Sequence, residues 1–151
     1  MARHEGRFDP RVGVGFAVIV FPQGRYTLET LTCILGDGRP PTPPVGMYCT
    51  GRLDTGTTIT LIAPQIVRAL HLSPIGEPRD IIVATGVGSA YPYRVALVLP
   101  FDDDMRLVPD IEVLGLPKDW RGNFTVLLGL DILRLGTFTM SGDGRFTFEI
   151  P

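Results

Sequence analysis

Arg52-Leu53-Asp54-Thr55-Gly56-Thr57-Thr58-Ile59-Thr60-Leu61 sets an acid, several hydroxyls and a glycine between two apolar, β-favouring runs. Met47-Tyr48-Cys49 reads as strand on one side and Ile59 to Ile62 on the other. A carboxylate followed by Thr-Gly at a tight turn between strands holds an acid at the mouth of a sheet. The glycine lets another backbone approach closely. The threonine after it can offer a hydroxyl to a carboxylate oxygen. Asp-Thr-Gly arises by chance in a chain of this length with a probability on the order of 0.03, from average composition. The triplet alone therefore does not separate a site from an ordinary turn, and the surrounding chain has to decide.

Composition narrows the choice. With 151 residues the chain is long enough for one domain with a real core. Its net charge of -2 gives no electrostatic case for nucleic acid or an anionic membrane. Gly 18 and Pro 14, with short apolar runs between them, favour an all-β fold rich in turns. No apolar run approaches the ~20 residues of a membrane-spanning helix. Val12 to Phe21 is apolar and follows basic residues, but glycines break it and Pro22-Gln23-Gly24-Arg25 lacks a small-residue cleavage site, so it reads as a strand. With no export signal read, the expected location is cytoplasmic. Cys33 and Cys49 form no Cys-x-x-Cys pair, and His4 and His71 are distant in sequence, which argues against zinc. Two buried free thiols are expected rather than a disulfide.

In chain order, residues 1–11 are polar and read as loose. Val12 to Phe21 and Tyr26 to Leu35 read as strands, and Arg39 to Pro44, with four prolines, as a stiff surface loop. Val45 to Leu53 is the strand that delivers Asp54. Pro64 opens a short helix with Ile66, Val67 and Leu70 on one face. Asp80 to Ala84 and Ala90 to Leu99 form a long hairpin around the turn Thr85-Gly86-Val87-Gly88-Ser89. Phe101 to Asp104 is a charged turn without the spaced ligands of a calcium loop. Leu107 to Leu114 is a strand, and the Pro117 to Asn123 loop carries Trp120, either over the core edge or at a binding surface. Val126 to Gly129 is a strand followed by a short helix that has Asp131 near its start. Thr137 to Met140 and Arg145 to Ile150 close the chain as a hairpin, with Phe146, Phe148 and Ile150 on one face.

The ordered set resembles the retroviral-type (retropepsin-like) single-domain aspartic proteases, as found in bacterial and cellular members. Leu53-Asp54-Thr55-Gly56-Thr57 looks like the catalytic triplet with its apolar lead-in. The Asp80–Leu99 hairpin looks like the flap, and Leu127 to Leu133 like the apolar-apolar-Gly strand and following helix. The match covers roughly residues 30–150. The domain reading is a 1–25 segment with the first strand, then a 26–151 protease domain, one domain overall.

The resemblance implies a closed, barrel-like β fold with one or two short helices, active as a homodimer. Asp54 and its copy in a second subunit would form the carboxylate dyad of an endopeptidase. Thr55 would cross-link the two loops, Gly56 would meet substrate through its backbone, and Thr57 would hydrogen-bond the carboxylate. Thr85, Gly86, Val87 and Gly88 would form the flap over a peptide substrate. No metal or organic cofactor is implied. Leu130 stands where retroviral members carry an arginine that braces the dimer, and the first ~25 residues have no clear counterpart in the short viral enzymes. The terminal strand Arg145 to Ile150 is expected to offer an apolar edge to the dimer. Two other readings stand beside the enzyme. One is a dimeric peptide-binding module with weak or lost turnover. The other is an interaction domain in which Asp54 is only a turn residue.

Overall fold

The computed structural model describes residues 2–11, 13–23, 46–83, 86–120, 122 and 124–151. The expected strands within Tyr26 to Leu35, the proline loop, Cys33 and Thr85 lie outside the described residues. The elements are β1 (Ala2–Arg7), β2 (Val14–Pro22), β3 (Met47–Leu53), β4 (Leu61–Ile62), helix α1 (Pro64–Ala69), β5 (Arg79–Val83) and β6 (Gly86–Ala90). They continue as β7 (Pro92–Pro100), β8 (Met105–Gly115), β9 (Val126–Leu128), helix α2 (Leu130–Leu133), β10 (Thr137–Met140) and β11 (Arg145–Ile150).

Six strands close a barrel in the order β2-β3-β9-β4-β8-β7. The unbroken apolar run of β2 has a physical reason. Val18 and Val20 face the main core, while Ile19 and Phe21 pack with Ala96 and Val98 of β7 in a second cluster, so the strand is buried on both faces. Inside the barrel, β3 runs parallel to β9, with Leu53 opposite Leu128. β4 runs antiparallel to β9 and parallel to β8. The chain therefore leaves β3, makes a loop and returns as β4 on the other side of β9. That crossing sets the position of residues 54–60. Cys49 is buried and free, and burial pushes its thiol up to about 11.

Two expectations need correction at the edge of the barrel. Residues 2–7 are not loose: β1 pairs antiparallel with β11 in a three-stranded sheet ordered β1-β11-β10. Ala2, His4 and Gly6 point inward and Arg3, Glu5 and Arg7 outward, a period-two pattern written in small and polar residues. The second correction follows from the first. β11 is central, hydrogen-bonded to β1 on one side and β10 on the other, so it offers no open edge to a second copy. His4 lies edge-on to Phe16, with ring centroids 4.7 Å apart, and Phe16 in turn contacts Phe101 and Phe148. These aromatic contacts seat the small sheet on the barrel.

β5 and β6 form a separate two-stranded sheet. Val83 pairs with Gly86, so Gly86 to Ser89 belong to a strand rather than to the turn expected there. The second arm breaks at Tyr91 and continues as β7 of the barrel. No helix among the described residues is long and apolar enough to cross a membrane.

Candidate active site

Asp54 directly follows β3, whose parallel partner is β9. The pairing extends one residue past the strand, as the Asp54 N–H donates to the Leu128 carbonyl at 2.9 Å. The main chain of Asp54 is thus fixed to the barrel floor, and its side chain is half-buried. The chain then turns sharply. Asp54 Oδ1 accepts the Gly56 N–H at 2.7 Å, an Asx-type turn closed by the acid itself. Thr55 and Gly56 are exposed at the apex.

The far limb of this loop is tied down more heavily. Thr60 is fully buried, and its polar atoms are all hydrogen-bonded, the carbonyl accepting the Leu114 N–H at 3.1 Å and the rest engaging Asp131. Its N–H donates to Asp131 Oδ2 at 2.9 Å and its hydroxyl to Asp131 Oδ1 at 2.8 Å. The same hydroxyl accepts the Gly129 N–H at 3.2 Å. Asp131 Oδ1 also accepts the Ile132 N–H at the first turn of α2. One carboxylate therefore serves three donors, two on the loop and one on the helix. Between them, the Leu130 N–H donates to the Thr57 carbonyl at 2.9 Å. Gly129 is where the two segments cross. A Cβ there would stand 2.8 Å from the Thr57 carbonyl oxygen and 3.0 Å from the Ile59 carbonyl carbon, so only glycine permits the approach.

Thr57 differs from expectation. Its hydroxyl donates to the Ile59 carbonyl at 2.9 Å, not to the Asp54 carboxylate. The loop bends around Gly129 at this point, and the two-residue-on carbonyl is the acceptor that the bend brings nearest. The Asp54 oxygen expected to receive that hydroxyl takes the Gly56 N–H instead.

The hairpin of β5 and β6 carries the other candidate residues. Gly86, with φ of +131°, starts β6, and a Cβ there would meet nothing within 4 Å. Val87 stands opposite Ile82, and these two apolar side chains are 75% and 92% exposed. Gly88 lies one pair further back, opposite Ile81. The root of the hairpin is anchored. Arg79 forms an ion pair with Glu112 of β8, the Gly115 N–H donates to the Tyr91 carbonyl at 3.0 Å, and the Ile75 N–H donates to the Pro92 carbonyl at 2.9 Å. Trp120 takes the core-edge role. It packs on Phe124 with ring centroids 5.0 Å apart and donates its indole N–H to the Phe124 carbonyl at 3.2 Å.

Sequence reasoning placed the Asp54 loop and the hairpin but missed the Thr60–Asp131 clasp. The available signal was a lone polar residue in each of two apolar runs, Thr60 before Leu61-Ile62 and Asp131 between Leu130 and Ile132. No protein-family model and no curated protein matches the sequence. Among solved structures, the chain is similar to a retropepsin-like aspartic protease from Rickettsia conorii. The TM-score is 0.55 at 16% identity, covering 99% of this chain and 94% of that one. It also matches the solution structure of a simian foamy virus (mac) protease at 17% identity and a TM-score of 0.44, over 80% of this chain and 91% of the other. The first likeness spans both the barrel and the appended sheet, and this chain has the retropepsin-like fold.

Proposed function

We propose that the chain is an aspartic endopeptidase whose active centre is completed by a second copy, with Asp54 of each subunit forming the dyad. The observation that carries this reading is the Asp54 loop. Its acid is half-buried on a fixed main chain, its limb is clasped by Asp131, and its apex at Thr55 and Gly56 is open to a partner. A chain with one Asp-Thr-Gly supplies one carboxylate, so the two-carboxylate mechanism requires a two-fold partner. The exposed Leu130, hydrogen-bonded through its N–H to the loop at Thr57, lies beside this apex.

In the dimer, two carboxylates a few Å apart hold one proton between them. The ionised one takes a proton from a bound water as the water attacks the scissile carbonyl. The protonated one gives its proton to the carbonyl oxygen as that oxygen gains charge. The resulting diol collapses when the carboxyl that took the water's proton delivers it to the leaving amine, the other carboxylate takes back a proton from a diol hydroxyl, and the amide C–N bond breaks. The Gly56 backbone and the β5–β6 hairpin would hold an extended peptide from two sides, with Ile82 and Val87 as the apolar surface that closes on it. Thr57 serves the loop's own turn in this scheme rather than the carboxylate.

The test is cleavage of a mixed peptide library by the parent and by Asp54→Asn, with sedimentation at the same concentrations. The parent should cut as a dimer, and Asp54→Asn should keep its melting temperature and cut nothing. A monomer that cleaves, or an Asp54→Asn variant that still cleaves, refutes the dyad.

A further inference from the structure

A cavity of about 410 Å3 lies away from the Asp54 loop, where three elements meet. Helix α1 contributes Pro64, Val67 and Arg68. The junction between the hairpin and the barrel contributes Ser89 to Tyr91 and Tyr93, and the end of β8 with the residues after it contributes Gly115 to Lys118. Its size falls in the range of small-molecule sites, about 300–1,000 Å3.

The lining has a one-sided chemistry. Val67, Ala90, Leu116 and Pro117 give an apolar floor and wall. Its polar side chains can all donate: the Arg68 guanidinium, the Lys118 ammonium and the hydroxyls of Ser89, Tyr91 and Tyr93, which can also accept. No acidic residue among the described residues lines the cavity. Neither Arg68 nor Lys118 forms an ion pair among the described residues, whereas Arg79, Arg94, Arg106 and Arg145 all do. Tyr93 is buried, and burial together with the neighbouring Tyr91 pushes its phenol above the usual range, so it remains a donor. Two unpaired cations, three hydroxyls and an apolar wall match an anion carried on an apolar body.

We infer that this cavity is a binding site for a small amphipathic carboxylate, its carboxyl between Arg68 and Lys118 and its apolar body against Val67 and Leu116. The site touches the hairpin at Ser89 and Ala90, the last residues before the break at Tyr91. A ligand seated there fills the space between the hairpin root and α1 and restricts movement of the hairpin. The inference does not depend on turnover.

The experiment uses full-length Asp54→Asn protein, so cleavage plays no part. Trp120 is the sole tryptophan, and its backbone N–H donates to the carbonyl of Pro117, a lining residue, which makes its fluorescence a reporter. Three probes are titrated: 4-phenylbutyrate, its uncharged analogue 4-phenyl-1-butanol, and a short apolar peptide with a free C-terminal carboxylate. The acid should bind at least tenfold more tightly than the alcohol. The Arg68→Gln/Lys118→Gln double variant, checked by its melting temperature, should lose that preference. Hydrogen exchange of β5 and β6 amides should slow when the acid is bound. Equal binding of acid and alcohol, or a preference that survives in the double variant, overturns the site. Tighter binding of the peptide than of 4-phenylbutyrate overturns the small-molecule assignment.

Discussion

The loop from Asp54 to Thr60 and the hairpin of β5 and β6 are built in opposite ways, and the proposed protease would place opposite demands on them. The loop is crossed by Gly129, clasped by Asp131 and extended from a parallel strand pair, so its backbone is held from three directions. Among the described residues the hairpin pairs only with itself, carries Ile82 and Val87 in solvent, and is fastened at its root. A carboxylate that reacts must sit within a fraction of an ångström of its place. A lid must be free to leave and return. In the proposed protease the contrast would be one between order fixed before substrate arrives and order supplied by the substrate.

Breaking the clasp should have the largest effect. In Asp131→Ala the fully buried Thr60 loses the acceptor of its N–H and hydroxyl. Each buried group left unpaired costs about 1–3 kcal/mol, so a loss of roughly 2–4 kcal/mol is expected, read as a fall in melting temperature. Asp131→Asn keeps one acceptor oxygen and should lose less. Cleavage should fall in the same order, because the loop that carries Asp54 loosens. An Asp131→Ala protein as stable as the parent would mean that Gly129 and the strand pairing alone hold the loop.

The same contrast explains what could be read from the chain. The apolar lead-in to Asp54, the Val126 to Gly129 run and the alternation of Phe146, Phe148 and Ile150 are local patterns, and each forms the element expected. The clasp joins Thr60 to Asp131 across 71 positions, and a pairing over that separation leaves no local periodicity. β1 was illegible for a different reason. Its inward residues are alanine, histidine and glycine, chosen by the ring of Phe146 lying across Gly6 and by Phe16 against His4, so the alternation carries no hydrophobic contrast. The expected open edge at β11 is absent for the same reason, since β1 covers it. The direction of the Thr57 hydroxyl depended on the bend at Gly129, a feature of the assembled fold.

The hairpin gives the converse result. A test through Gly86 would mix strain with function, because its φ of +131° disfavours any side chain. Ile82→Ser with Val87→Ser avoids this. Both side chains are solvent-exposed, so stability should move by no more than about 0.5 kcal/mol. Closure over a peptide would bury them, and each is worth about 1.5–3 kcal/mol when fully buried. With partial burial, a fall in kcat/KM of roughly tenfold or more is expected. Unchanged kcat/KM in the double variant would mean the hairpin is not a lid.

β1 stands between these extremes, held by surface hydrogen bonds from an acidic turn, and it tests whether bracing survives exposure. Asp102 accepts the Glu5 N–H at 2.9 Å and lies 3.0 Å from His4 Nδ1, and Asp103 accepts the Arg3 N–H at 2.8 Å. The Glu5 hydrogen bond is the main reason that the Asp102 carboxyl lies below the usual range. Its partial burial opposes this and the His4 contact adds to it. A carboxyl lowered on folding stabilises the protein above its unfolded value of about 4, and that stabilisation is lost as pH falls through the lower folded value. The side chain is more than half exposed, so solvent screening holds the contribution under about 1 kcal/mol. Asp102→Asn keeps an acceptor for Glu5 but no titrating charge. At pH 7 it should melt slightly below the parent, and the gap should close on acidification below about pH 4. Asp104 and Asp143 are also held low by their own hydrogen bonds, and they act equally in both proteins, so the difference between the two melting curves isolates Asp102. Hydrogen exchange of the β1 amides should follow the same course. A gap that persists unchanged to pH 2 would show that the turn holds β1 by shape rather than by charge.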